Sequence, residues 1–174
     1  MNRLLQIAAS VALALWLGGL VALFLFVGAL FREDRTLAIS AAPTLFNSFA
    51  TYQLFLGMIG LIALFFWRSM VRSRWISTII VLFIISLALA AYVMFSMIPE
   101  MEAIRIGGQS GDSPRFKTLH GMSMIFYTSQ TIALLLAAMM IPLAISADAV
   151  SRTAREAGPA TRSPGDIADP VATR

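Results

Sequence analysis

Hydropathy along the chain falls into four long apolar blocks, separated by short stretches rich in charge, glycine or proline. The blocks cover residues 4–30, 48–67, 75–98 and about 122–145, each long enough to supply the roughly 20 helical residues that cross a hydrocarbon core of about 30 Å. Inside them the apolar residues run on continuously, without the period of an amphipathic soluble helix. The expected fold class is therefore all-α, an integral membrane four-helix bundle. The first block follows Arg3 but is much longer than the roughly 7–15 apolar residues of a signal peptide, so it reads as a retained anchor. Within it Ser10, Ala14 and Gly18 recur at a spacing of four, with Gly19 beside them, a smooth stripe for close helix approach.

The connections add detail. FREDRTLAISAAPTLFNSF opens on alternating charges and turns mildly amphipathic, predicting a short interfacial helix between spans one and two. WRSMVRSRW brackets three arginines between Trp67 and Trp75, which predicts a tight hairpin anchored in an interfacial aromatic belt. Pro99 lacks a backbone donor and is expected to break span three. GGQSGDSP then forms a turn, with Ser113 as N-cap and Pro114 as the first residue of helix four. The expected organisation is a transmembrane domain over 1–146 and a tail over 147–174, mostly disordered after a short helical extension because it has little apolar surface to bury.

Composition agrees with a membrane location, at 59% hydrophobic and 13% charged residues and a mean hydropathy of +0.82. There is no cysteine, which excludes disulfides, thiolate metal sites and iron–sulfur clusters. The net charge of +4 sits beside apolar runs, where it favours the lipid bilayer as partner over nucleic acid. Arg3, Arg68, Arg72, Arg74, Arg152, Arg155, Arg162 and Arg174 fall on one side of a four-span topology, whereas Arg32, Arg35, Arg105, Arg115 and Lys117 on the other are offset by Glu33, Asp34, Glu100, Glu102 and Asp112. Both termini are therefore expected in the cytoplasm and the chain in the cell membrane, the inner or plasma membrane if bacterial.

No phosphate-binding loop, paired carboxylates within a span or serine–histidine–aspartate arrangement at a recognisable spacing is present, so no catalytic residue is assigned. The single histidine, His120, opens the fourth span. At about 100° per residue His120, Ser123, Tyr127, Gln130 and Thr131 share one face of about 100°, with Met124 at its edge and Met122 opposite. Lipid tolerates such a polar stripe poorly, so it should turn inward. Asn47, Thr51 and Gln53 at the outer end of span two are expected at the same depth. Arg105, with Glu100 and Glu102, reads as a solvated charge cluster that fixes the third connection.

Ten methionines open a second line of chemistry, because thioether and imidazole suit a soft ion such as Cu(I). His120, Met124, Met97 and Met101 form the candidate ligand set, against the plainer reading of methionine as packing filler. ALWLGGLVALFLFVGALF, PTLFNSF, PEMEAIR and FKTLHGMS, in that order, resemble the transmembrane protein 205-like family, catalogued as a domain of unknown function. The resemblance covers about 4–145, rests chiefly on Phe116, Leu119, His120, Gly121 and Ser123 with Pro99 and Arg105, and implies a four-helix membrane protein without an established activity. A more distant similarity is to copper resistance D-like membrane proteins, from which this chain departs in having one histidine, no cysteine and no intramembrane carboxylate. That departure argues against copper transport and against a haem held by two histidines, leaving open a haem on one histidine and one methionine. Three classes of function follow: handling or sensing a small solute or soft metal around His120, an accessory subunit packed on a membrane-protein partner or another copy of itself, and a membrane enzyme or haem protein.

Overall fold

A computed structural model of the chain describes residues 2–71, 73–107 and 113–156. Those residues are helical throughout, apart from short connections, and four helices are long and apolar enough to cross a membrane. Helix α1 (Asn2–Glu33) and helix α2 (Arg35–Met70) are joined by one residue. Asp34 takes an extended backbone and its carboxylate accepts from the amides of Thr36 (2.8 Å) and Leu37 (3.0 Å), capping α2 as α1 ends. The segment expected as a separate interfacial helix is thus the first turns of α2 itself, which continues through Pro43 without interruption. Pro43 lacks the donor that would bond the carbonyl of Ile39, a local loss that the long helix tolerates.

Helix α3 (Arg74–Tyr92) follows α2 after a three-residue connection, giving the expected tight hairpin. Arg68 closes it through hydrogen bonds to the Ser77 hydroxyl (2.8 Å) and the Val71 carbonyl (3.5 Å). Trp67 departs from the expected aromatic belt: it is fully buried in the core, while Trp75 is half-buried beneath the Arg74 guanidinium.

Pro99 does not break the third span. The chain passes through a π-helical turn (Val93–Met97) into helix α4 (Ile98–Ile106), and the Ile98 amide reaches back five residues to the Val93 carbonyl. Widening the turn ahead of Pro99 relieves the clash its ring would make with the carbonyl four residues back. Helix α5 (Pro114–Glu156) starts as expected, with the Ser113 hydroxyl accepting from the Phe116 amide. It runs past the expected boundary at 146; residues 157–174, the rest of the expected disordered tail, lie outside the described residues.

The four long helices pack as a ring in the order α1, α2, α3, α5, with α1 closing against α5 and α4 capping the end opposite the termini. Each contributes a buried seam spaced alternately three and four residues apart. On α1 it is Gln6, Ala9, Leu13, Trp16, Leu20 and Leu23, and on α3 it runs from Ile76 and Ile79 through Phe83, Ser86 and Ala90 to Val93. That spacing is the signature of knobs-into-holes packing in antiparallel bundles. Only 28, 44, 33 and 33% of the most apolar windows of the four spans is buried within the bundle, so most of their apolar surface faces outward, as lipid contact requires.

Close approach occurs at two glycines of α2. A Cβ on Gly57 would lie 2.7 Å from Leu87 and 2.9 Å from Trp16, and one on Gly60 would lie 2.5 Å from Phe83. The small-residue stripe on α1 divides: a Cβ on Gly19 would lie 2.9 Å from Phe49 and 3.1 Å from Tyr52, so this glycine also permits close approach, whereas Ala14 and Gly18 are exposed and nothing lies within 4 Å of a Cβ at Gly18. The inward phase of α1 is set instead by Trp16, whose indole N–H donates to Gln53 Oε1 at 3.3 Å.

Candidate functional site

A cavity of about 630 Å³ lies at the α4 end of the bundle, bounded by α1, α2, α4, α5 and the π turn. The lining follows helical faces. Helix α1 supplies Phe24, Val27, Gly28 and Phe31; α2 supplies Arg35, Ile39, Ala42, Pro43 and Phe46; α5 supplies Phe116, His120, Ser123, Met124 and Tyr127. Val93 from the π turn, with Ile98, Met101, Glu102 and Arg105 of α4, forms the last wall. The cavity is thus a slot with aromatic and aliphatic sides and six polar lining residues.

Its floor is aromatic. Tyr127, almost fully buried, meets Phe24 edge-on (6.1 Å between centroids) and Phe46 at a tilt (5.7 Å). At the mouth, Arg105 is held to Glu102 by two hydrogen bonds of 2.9 and 2.6 Å, a planar bidentate pair. Glu100, expected in the same cluster, instead pairs with Arg115 at 2.6 Å and ties α4 to the start of α5. His120 is exposed at the mouth, stacked nearly parallel on Phe116, and its backbone carbonyl accepts from the Ser123 hydroxyl at 2.8 Å.

The expected polar stripe on α5 turns inward below His120, which is itself exposed. Ser123, Tyr127 and Gln130 are buried, and Thr131 is half-buried with its hydroxyl bonded to the Tyr127 carbonyl. His120, Ser123, Tyr127, Met124 and Arg105 meet at the cavity, whereas Gln130 and Thr131 lie one turn deeper, outside the lining. Asn47 and Thr51 do not join them: both are exposed, and the Thr51 hydroxyl bonds the Asn47 carbonyl on their own helix. Of the three polar residues expected from span two, only Gln53 turns inward.

The soft-metal set divides similarly. His120, Met101 and Met124 line the cavity, but Met97 is buried in the core and does not. Among the described residues no three histidine or acidic side chains gather as a metal cluster would require.

Two features were not anticipated. Arg35 and Gly28 line the cavity, although the first read as an interfacial charge. Asp148, just beyond the fourth apolar block, is buried and accepts a 2.6 Å hydrogen bond from the Gln6 side chain at the termini end, so the bundle does contain a buried carboxylate. The α5 seam itself carried the signal, since Leu134, Ala137, Ile141, Ala144 and Asp148 keep the three-four spacing. No protein-family model, curated protein or solved structure matches this chain.

Proposed function

We propose that this chain is a multi-pass protein of the cell membrane, with both termini cytoplasmic, that binds a small solute in the slot around His120 without transforming it. The carrying observation is the slot itself: apolar walls with few convergent polar groups, at a volume within the roughly 300–1,000 Å³ typical of ligand sites. The arginine distribution supports this orientation, in which the slot lies in the outer half of the bilayer. The first turns of α2, carrying Arg35 beside Asp34, fit the expected interfacial position.

The test uses Gly28. It lines the slot and nothing lies within 4 Å of a Cβ there, so the side chain of Gly28→Phe starts in open space and is expected to take up ligand volume. Wild-type protein purified in mild detergent should carry a co-purifying small molecule, seen by native mass spectrometry, that the variant lacks. Identical content in the two proteins would overturn the reading. Elemental analysis of the same samples tests the soft-metal alternative at His120, Met101 and Met124.

A second reading, an accessory subunit, draws support from the outward Ser10, Ala14, Gly18 stripe, whose small side chains suit a partner helix. Leucines at Ala14 and Gly18 should then disrupt a complex while leaving the monomer folded. A wild-type chain that purifies as a partner-free monomer would contradict it.

A further inference from the structure

We propose that the slot takes a single-chain amphiphile with an anionic head, a long-chain carboxylate or phosphate monoester, its head beside Arg35 and its chain directed at Tyr127. The inference rests on the solute-binding reading above and narrows it to a chemical class.

Shape argues for a chain. The lining extends eleven residues along α2, from Arg35 to Phe46, and the same distance along α5, from Phe116 to Tyr127, about 17 Å at 1.5 Å per residue. Between the two ends the side chains facing the slot are mainly apolar, including Phe24, Val27, Ile39 and Met124. A solute polar along its length would lose its hydrogen bonds to water there without replacement.

Charge argues for the head. Arg105 and Glu102 neutralise one another, so they contribute no net charge to the mouth. Arg35 lines the same end and has no ion-pair partner among the described residues. Its neighbour Asp34 is turned to the start of α2, where it accepts from two backbone amides, and is not part of the lining. One uncompensated positive charge therefore sits at the open end of an apolar slot, with the His120 ring at the same end as a further polar contact. An amphiphile with an anionic head complements both features, whereas a cationic head would meet a like charge.

The experiment measures saturable binding of radiolabelled palmitate to the full chain in phosphatidylcholine nanodiscs, relative to empty nanodiscs. Cetyl phosphate should displace it at a similar concentration, cetyl alcohol only at concentrations about tenfold higher or more, and cetyltrimethylammonium not at all. Arg35→Gln should weaken palmitate about tenfold and leave cetyl alcohol unchanged. Gly28→Phe should abolish binding of both without lowering the melting temperature. Equal displacement by all three competitors, all blocked by Gly28→Phe, would overturn the anionic head and leave the slot as a binding site. Palmitate binding that survives Gly28→Phe would overturn both. An absence of saturable palmitate binding would overturn the ligand class, and the co-purification measurement would still decide the solute-binding reading.

Discussion

Gly60→Ala and Gly28→Ala are the same chemical change in two helices, and the structure assigns them opposite signs. A methyl at Gly60 would lie 2.5 Å from Phe83 Cε1, 3.2 Å from its Cζ and 3.3 Å from Ala12 Cβ. Carbon atoms pack best at about 3.5–4.0 Å, so the first contact overlaps by about 1 Å. Phe83 has no easy retreat: it is 1% exposed and edge-on to Trp16 at 5.8 Å, and Trp16 is itself fully buried and bonded to Gln53. Overpacking of this kind costs about 1–3 kcal/mol, from which alanine's helix preference over glycine recovers about 1 kcal/mol. A net loss of about 1 kcal/mol, up to about 2, is expected at Gly60. At Gly28 no atom lies within 4 Å of the added methyl, leaving only the propensity gain. Reversible unfolding in mixed micelles measures both. Shifts in the same direction would refute the packing argument, as would a failure of Phe83→Leu to recover stability selectively in the Gly60→Ala background.

Three further expectations concern buried polar atoms. Gln6→Leu removes the donor to Asp148 and should lower unfolding free energy by about 1–3 kcal/mol; an unchanged value would show that the pair does not hold α1 to α5. The Tyr127 hydroxyl is buried without a hydrogen-bond partner among the described residues, so Tyr127→Phe should leave stability unchanged or raise it by up to about 1 kcal/mol, and a clear loss in the same unfolding assay would contradict this. Both amide atoms of Gln130 are likewise unpartnered, and Gln130→Met should stabilise the bundle by about 1–2 kcal/mol; destabilisation would mean that the amide is satisfied by groups such as internal water.

Hydropathy located the four spans because lipid leaves no alternative to long apolar helices, but it placed their ends poorly. Charged residues end an apolar count without ending a helix: Arg35 begins α2, and Asp148 lies well inside α5. The polar face of α5 was legible because one helix's phase is contained in its own sequence. Which face of α2 turns inward depends on its neighbours, and there the expectation for Asn47 and Thr51 failed. Thr51 precedes Gln53 by two residues, about 200° around the helix, so burying Gln53 against Trp16 sends Thr51 outward. Arg35 was missed for a related reason. Its place in the slot depends on Asp34 reversing the chain in one residue, and on α4 arriving from elsewhere to form the opposite wall.

The π turn also determines where this chain can change length. A π turn is an α-helix carrying one extra residue in a widened loop, and the helices on either side keep the facing they would have without it. Deleting one residue within 93–97, together with Pro99→Ala to restore the missing donor, would shorten the chain and still present Glu102 and Arg105 to the slot. The same deletion near Ile79 would rotate every later residue of α3 by about 100°, turning its seam toward lipid and the cap away from the cavity. Along the third span, the bundle can accept a deletion in this one turn and in no other without exchanging its inner and outer faces.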